Sequence, residues 1–227
     1  MIKDNILEVR ERVAGACAKA KRDPESITIV AVSKGRPVST IQESIAAGIT
    51  DIGENRVQEA FLKYHEITKQ RNNEITIKWH LVGHLQTNKV KEAVKLFDLI
   101  HSVDSMRLAQ EIDKQAVRIN KVQDILIEVK TSGEATKFGV APEDAFGLIK
   151  EISGLKNISL KGLMTIAPLA DNPENARKYF RQLRELRDKL ITHNSQLKTL
   201  SMGMTDDFTV AIEEGATMVR VGRAIYE

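Results

Sequence analysis

Apolar residues recur every three or four positions over the first twenty residues of the chain, between charged neighbours. The members of this series are Ile2, Ile6, Val9, Val13, Ala16 and Ala20. This spacing places them on one face of a helix, and Pro24 predicts that the helix ends before it. At 27–34 the pattern changes to a short run rich in β-branched residues, which predicts a buried strand.

The alternation of a short apolar run with an amphipathic segment then continues along the chain. The runs interpreted as strands lie at 27–34, 51–54, 78–85, 97–103, 124–130, 159–166, 199–202 and 217–221. The intervening patterns predict helices from Pro37, through 57–64, over 88–95 and 105–117, from about Pro142, from Pro173 and over 205–214. Asn172, directly before Pro173, is the expected N-cap of its helix.

About eight strands that alternate with helices in 227 residues, without a linker or a shift in composition, favour one fold class. We expect an α/β protein that forms a single (β/α)8 TIM barrel with an extra N-terminal helix. Residues 1–227 are expected to form one domain. An open, doubly wound parallel sheet is the alternative.

The composition is that of a globular chain, with 42% apolar and 29% charged residues. The net charge of +3 is too small to require a polyanionic partner, and 4% aromatic residues do not favour a nucleic-acid stacking surface. Cys17 is the single cysteine, which excludes an internal disulfide. No apolar run approaches the ~18 residues that span a bilayer. We therefore expect a cytoplasmic monomer with no membrane or nucleic-acid partner.

Lys34 follows the first predicted strand and shares a strand face with Val30 and Val32. In a barrel, the active site lies at the ends of the strands. If this face points inward, the amine lies above an apolar floor, where desolvation favours the neutral, nucleophilic form that makes a Schiff base. A solvated lysine at a strand end is the alternative, and the pattern alone favours it.

Two later strands end in turns that suit an anion. Gly203 follows the seventh predicted strand and Gly222 the eighth, and barrels commonly hold phosphate in these two loops. Backbone N–H groups at a helix start favour an anion, and Ser201 and Thr205 are able to donate hydroxyls. The alternative, that Thr205 and Asp207 cap a helix while Gly203 forms a tight turn, explains one of the two loops.

A lysine opposite a phosphate cradle describes a site for a phosphorylated aldehyde, either pyridoxal phosphate (PLP) or a sugar phosphate. Arg220 shares the strand face of Gly222 and is expected to reach the phosphate or a ring nitrogen, or to form an ion pair inside the barrel. His80 and His84 have no evident third metal ligand, so hydrogen-bonded histidines are favoured. Lys137 is a further candidate contact or a solvated charge.

Six segments of the chain resemble the pyridoxal phosphate homeostasis proteins. They are AVSK at 31–34, GENRVQE at 53–59, WHLVGHLQTNK at 79–89, GLMTI at 162–166, SMGMTDD at 201–207 and VRVG at 219–222. The resemblance covers essentially the whole chain, with the segments in the same order.

This resemblance implies a barrel like the N-terminal domain of alanine racemase, of fold type III among PLP proteins, with PLP held as a Schiff base. Lys34 matches the lysine that forms it. The positions that match the phosphate-binding turns are Ser201, Gly203, Met204 and Gly222, and those that match the surroundings of the cofactor ring are Asn55, Met164 and Arg220. Arg223 stands where many members have threonine, so its side chain either meets the phosphate as a charge or points to solvent.

The family is regarded as a carrier and regulator of vitamin B6 without an established reaction. The resemblance therefore implies a PLP homeostasis protein, not an enzyme, which contacts PLP-dependent apoenzymes transiently. The residues agree, because a racemase needs a second acid/base group, and Tyr64, Tyr179 and Tyr226 lie in predicted helices or at the terminus. Two alternatives stay open: a PLP-dependent racemase or lyase completed by a loop or a second subunit, and a Schiff-base aldolase for sugar phosphates.

Overall fold

The computed structural model describes residues 1–69, 76–134, 138–192 and 194–227, so Lys137 lies outside the described residues. The strands are β1 (Thr28–Val32), β2 (Asp51–Glu54), β3 (Lys78–Leu81), β4 (Leu99–Val103), β5 (Gln123–Glu128), β6 (Ile158–Met164), β7 (Thr199–Ser201) and β8 (Met218–Val221). The α-helices are α1 (Ile2–Ala20), α2 (Val38–Ala46), α3 (Val57–Lys69), α4 (Val90–Leu96), α5 (Met106–Val117), α6 (Ala145–Ile152), α7 (Arg177–Leu190), α8 (Phe208–Glu213) and α9 (Arg223–Tyr226). Short 3₁₀ turns lie at Pro24–Ser26, Thr87–Lys89 and Pro173–Ala176.

The eight strands form a closed parallel barrel in which neighbours in sequence are neighbours in space. β1 closes the barrel, because it pairs with both β2 and β8. Val30 is opposite Asp51 on one side and Arg220 on the other. The predicted (β/α)8 barrel is confirmed, and the open sheet is wrong. Closure satisfies the strand edges that an open sheet leaves unpaired.

Alternate residues of each strand point into the barrel or toward the surrounding helices. A small inner cluster contains Val30, Leu99, Leu126, Met164 and Met218. The much larger outer cluster lies between the strands and the apolar faces of the helices. Further inward positions carry polar side chains, among them Asp51 at the start of β2 and Glu128 at the end of β5.

The expected N-terminal helix is α1, which buries Ile6, Val9 and Val13 and packs against α2, α8 and α9. The Asn5 side chain donates a hydrogen bond to the Ile225 carbonyl at 3.0 Å, so the first helix is tied to the last one. No helix in the described part of the chain, α1 included, is long and apolar enough to cross a membrane.

β3 ends at Leu81, whereas the sequence pattern predicts a strand up to Leu85. The chain turns there so that Gly83 lies against the backbone of Asn55, and a Cβ at Gly83 would be 2.4 Å from the Asn55 carbonyl oxygen. A side chain at position 83 would push the two segments apart. The turn therefore brings residues of the β3 loop beside the end of β2.

Two features near the C-terminus also differ from the prediction. α8 begins at Phe208 and not at Thr205, because the Asp207 carboxylate accepts the Met204 N–H at 2.6 Å and holds a turn before the helix. α9 was not predicted, since its four residues are too few to show a helical period.

A substitution at Gly162 on β6 allows the register between β6 and β7 to be tested. It is paired with Thr199, and a Cβ at Gly162 would be 1.9 Å from the Thr199 carbonyl oxygen. We expect Gly162→Ala to lower the free energy of unfolding by about 3 kcal/mol, measured by urea titration. The matched control is Gly147→Ala on α6, where no atom lies within 4 Å of the new Cβ. This control should gain about 1 kcal/mol of stability, because alanine favours a helix. Equal stability of both variants would contradict the register.

Candidate functional site

Lys34 lies in the turn directly after β1, two residues beyond Val32, and its side chain is exposed. The sequence left open a desolvated or a solvated lysine at this place, and the structure has the solvated one. An exposed amine at the barrel mouth is accessible to a carbonyl compound from solvent. The turn is nevertheless held firmly by the residues on either side of Lys34.

A buried lysine of α3, Lys63, holds the residue that precedes Lys34. Its Nζ donates to the Ser33 carbonyl at 2.7 Å and to Glu54 Oε1 at 2.7 Å. The Ser33 hydroxyl also donates to Glu54 Oε1, at 2.5 Å. Glu54 is fully buried, so its pKa is raised by burial, against the effect of the hydrogen bonds from Lys63 and Ser33. Both the backbone and the side chain of Ser33 are therefore fixed.

The residue that follows Lys34 is fixed by the same helix. Gly35 donates its N–H to Glu59 Oε1 at 2.6 Å, and Lys63 donates to the same oxygen at 2.6 Å. Neither Glu59 nor Lys63 is singled out by the sequence alone. Their spacing of four residues on a predicted helix was the available signal, but such pairs are common on solvated helix faces. The structure shows that this pair supports the Lys34 turn.

The two predicted phosphate turns lie side by side, next to the end of β1. The backbone N–H of Arg220 donates to the Gly203 carbonyl at 3.0 Å, and this hydrogen bond joins the loop after β7 to β8. Gly203 has φ +90°, and a Cβ there would be 2.6 Å from Ala211 Cβ. A Cβ at Gly222 would be 3.2 Å from the Val32 carbonyl oxygen. The backbone thus packs closely against neighbouring segments at both glycines, which fixes the two turns next to each other.

Met204 and Arg223 have partners within these turns. The Met204 N–H donates to Asp207, and the Arg223 guanidinium forms an ion pair with Asp206. The side chain of Arg223 is 60% exposed, so the solvated alternative is the one observed. α8 and α9 are too short for their N-termini to form an anion site. The candidate phosphate cradle therefore consists of the two turns themselves.

Arg220 lies inside the barrel and is 4% exposed. Its Nη1 donates to Ser201 Oγ at 2.6 Å and its Nη2 to the Thr165 carbonyl at 2.8 Å. Burial lowers the pKa of Arg220 to about 10, while the charges of Glu128 and Asp207 oppose this shift. The guanidinium therefore stays positively charged at neutral pH. Among the described residues Arg220 does not form the ion pair that was the alternative to a cofactor contact, and its guanidinium is held by hydrogen bonds to Ser201 and Thr165.

Glu128 ends β5 and shares its inward strand face with Leu126 of the inner cluster. It is 6% exposed. Burial, together with the charge of Asp104, raises the pKa of Glu128 to about 7, although Arg220 acts in the opposite direction. A glutamate at the end of an apolar run has no distinctive spacing, so Glu128 is not a candidate from the sequence alone. Its carboxyl group is able to exchange a proton near neutral pH.

Asn55 and Met164 lie at the ends of β2 and β6. The Asn55 Oδ1 is buried and has no hydrogen-bond partner among the described residues. Met164 is fully buried in the inner cluster, below the mouth. A ligand that presents a hydrogen-bond donor beside Asn55 would satisfy its amide oxygen, and Met164 offers an apolar floor. These positions fit the polar and apolar parts of an aromatic ring such as that of PLP.

The two candidate histidines of β3 and its loop have different surroundings. His80 is buried and lies within hydrogen-bond distance of Asp51 and His101. His84 stacks on Phe138 with ring centroids 3.8 Å apart, and its Nδ1 is 3.8 Å from Asp104. No group of three or more potential metal ligands is present in the described residues. His80 is the hydrogen-bonded histidine that the sequence favoured.

The chain matches known proteins over its whole length. Residues 1–227 match the family described as "Alanine racemase, N-terminal domain". A pyridoxal phosphate homeostasis protein of Aquifex aeolicus is 47% identical over 224 residues, which cover 98% of this chain and 96% of the relative.

Solved structures agree with this match. PipY of Synechococcus elongatus, with PLP bound, has a TM-score of 0.87 and 35% identity, with 100% of both chains covered. An alanine racemase of Clostridium difficile has a TM-score of 0.76 and 18% identity, and the match covers 98% of this chain and 56% of the racemase, so it supports the fold alone. The closed barrel, the exposed lysine after β1 and the paired glycine turns thus occur in a chain that belongs to the alanine racemase N-terminal domain family and, within it, to the pyridoxal phosphate homeostasis proteins.

Proposed function

We propose that this protein binds pyridoxal phosphate at the carboxyl ends of its strands and serves PLP homeostasis as a carrier, without robust catalysis. The observation that carries the proposal is the position of the Lys34 turn beside the turns of Gly203 and Gly222. Pyridoxal phosphate supplies an aldehyde, which condenses with a lysine amine, and a phosphate on the far side of its ring. The names of the relatives and the PLP-bound state of PipY support the choice of this cofactor over a sugar phosphate.

Each site residue has a role in this proposal. Lys34 forms the Schiff base, and Glu54, Lys63 and Glu59 fix the turn that presents it. The phosphate lies at the residues of the two turns, which are Ser201, Gly203, Met204, Gly222 and Arg223. Arg223 reaches the phosphate only by releasing Asp206, so we assign it the weakest contact. Asn55, Met164 and Arg220 surround the ring.

The surroundings of Tyr226 favour a carrier over a catalyst. The Tyr226 hydroxyl lies 3.2 Å from Ser44 Oγ, and burial raises the pKa of Tyr226 to about 12. A phenol in this state is a poor proton donor or acceptor at neutral pH. As a carrier, the protein acts as a cytoplasmic monomer and meets PLP-dependent apoenzymes transiently.

A second candidate function, a PLP-dependent racemase or lyase, is favoured by one observation. Glu128 is a buried carboxyl group inside the barrel mouth, and its pKa of about 7 suits a general acid or base. In this alternative, Lys34 is one acid/base group of the reaction, and Glu128 is the second group that transfers a proton. The two functions differ in whether an amino acid turns over.

Lys34 is the first residue to test. We expect Lys34→Ala to abolish the visible absorption of the PLP-loaded protein and the pyridoxyl adduct that borohydride fixes, and to weaken PLP binding at least tenfold. The exposed Lys3→Ala on α1 is the control and should bind as the wild type does. Peptide mapping by mass spectrometry locates the adduct. An adduct confined to another lysine in the wild-type protein would contradict the assignment.

Solvent exchange separates the carrier from the enzyme. In deuterated water, we expect the loaded protein to exchange the α-proton of amino acids no faster than free PLP does, as followed by proton NMR. Exchange far above this background that is lost in Glu128→Gln would overturn the carrier proposal in favour of the second function. Exchange that Glu128→Gln leaves intact would reject Glu128 as the acid/base group.

Glu128 also makes stability depend on pH. Its pKa of about 7 in the folded state lies above the ordinary value of 4.5, so the folded chain binds more protons than the unfolded chain between these values. The stabilising contribution of Glu128 is present below its ordinary pKa of 4.5 and is lost as the pH rises through its folded-state pKa of about 7. We expect the wild type to lose up to about 3 kcal/mol relative to Glu128→Gln between about pH 5 and about pH 8 in urea titrations. The exposed Glu8→Gln should show the wild-type dependence.

A further inference from the structure

A row of hydrogen-bonded side chains crosses the inside of the barrel from β2 to β8. Asp51 Oδ1 lies 2.9 Å from His80 Nε2, and His80 Nδ1 lies 3.0 Å from His101 Nε2. His101 Nδ1 lies 3.0 Å from Ser201 Oγ, which in turn accepts from Arg220 Nη1 at 2.6 Å. All five residues are buried. We call Asp51, His80, His101, Ser201 and Arg220 the buried row.

The row connects the two ends of the barrel. Asp51 is the first residue of β2 and lines a groove at the amino ends of the strands, together with Thr28 and Thr50. Ser201 is the last residue of β7, directly before the Gly203 turn. The interior therefore contains a continuous polar path from the base of the barrel to the candidate cofactor site.

The two ends of the row, together with neutral imidazoles between them, determine the direction of every hydrogen bond in it. A guanidinium is able only to donate, and an ionised carboxylate is able only to accept. Burial opposes ionisation of Asp51, but hydrogen bonds from His80 and Thr50 prevail and hold the pKa of Asp51 below its usual range. Burial is the main cause that keeps the pKa of His101 well below its usual range, and the nearby charge of Arg220 acts in the same direction. Arg220 is thus a donor at one end, and Asp51 is an acceptor at the other.

One arrangement satisfies all four contacts with neutral imidazoles. Arg220 donates to Ser201, the Ser201 hydroxyl donates to His101 Nδ1, His101 Nε2–H donates to His80 Nδ1, and His80 Nε2–H donates to Asp51. Both histidines therefore carry their proton on Nε2. The reverse direction from His101 onward would require a second proton on His80 or a proton on Asp51.

This arrangement changes the expected role of Ser201. Its hydroxyl proton goes to His101, and it accepts from Arg220, so the hydroxyl is committed to the barrel interior. Ser201 is also fully buried. Its contribution to a phosphate at the mouth is then limited to its backbone, and the side chain serves Arg220.

We propose that Asp51, His80 and His101, acting through Ser201, are positioning residues that hold the Arg220 guanidinium in one orientation below the candidate cofactor site. Asp51 acts from the far end of the barrel through the two histidines, and neither Asp51 nor His101 is a candidate from the sequence alone. The direction of the hydrogen bonds follows from the contacts within this chain alone, whereas the effect of the buried row on PLP rests on the proposed function.

The first experiment needs no cofactor. Nitrogen–proton correlation spectra of the histidine rings report which nitrogen carries the proton, and His80→Gln and His101→Gln assign the signals. We expect both His80 and His101 as neutral Nε2–H tautomers at pH 7. An Nδ1–H tautomer or an imidazolium at either residue would overturn the proposed direction.

The second experiment tests the action on Arg220 over distance. Asp51→Ala removes the terminal acceptor, whereas Asp51→Asn keeps an acceptor oxygen and serves as the conservative rescue. We expect Asp51→Ala, but not Asp51→Asn, to shift the Arg220 Nη proton resonances in the cofactor-free protein. The control is Asp124→Ala near the start of β5, where Asp124 pairs with Lys161 at 3.4 Å outside the row. Unchanged Arg220 resonances in a folded Asp51→Ala protein would refute the positioning role.

The same variants are then loaded with PLP. Loss of one oriented hydrogen bond corresponds to a roughly fivefold to tenfold weaker affinity, and we expect this loss in Asp51→Ala with a shifted visible spectrum, and recovery in Asp51→Asn. An Asp51→Ala protein with wild-type affinity and spectrum would contradict the link to the cofactor. If the wild type itself fails to bind PLP, the proposed function is wrong, and the Arg220 resonances still decide the positioning role.

Discussion

Closure of the barrel between β1 and β8 is the constraint on which the candidate site depends. In a closed parallel sheet all strands end on the same side, so the loop after the first strand and the loops after the last two become neighbours. This brings Gly222 against the Val32 carbonyl and places the Lys34 turn beside it. An open sheet with the same strand order would place β1 and β8 at opposite edges, and the lysine would have no anion cradle opposite it.

The barrel interior uses few apolar side chains and many polar ones. Burial of Arg220 without partners would be costly, and the structure offsets this cost with directed hydrogen bonds to Ser201 and the Thr165 carbonyl. The Lys63 and Glu54 pair follows the same principle between α3 and β2, since each buried charge has the other within 2.7 Å. Such buried charges fix the local conformation more than they raise the free energy of unfolding, because their hydrogen bonds form in only one geometry. That order is what a site with an exposed, otherwise mobile lysine requires.

The alanine racemase fold by itself does not decide between carrier and enzyme, since one fold hosts several functions. The decision lies in individual groups. Tyr226 is held by Ser44 in a buried place that disfavours ionisation, whereas Glu128 has the proton affinity of an acid/base group. A carrier needs the lysine and the phosphate cradle, and an enzyme needs Glu128 as well. Arg220, a cation oriented from within the barrel, belongs to either function.

The sequence by itself determined the order of the elements, the barrel, the extra first helix and the candidates Lys34, Gly203 and Gly222. These features follow from local periodicity, from turn residues and from the rule that barrel sites lie at strand ends. It did not reveal Lys63, Glu128 or His101, or the contacts of the Ser201 hydroxyl with His101 and Arg220. Their roles depend on which side chains meet across the barrel or between a helix and a strand end. Such meetings join residues far apart in the chain, and only the closed tertiary structure brings them within hydrogen-bond distance.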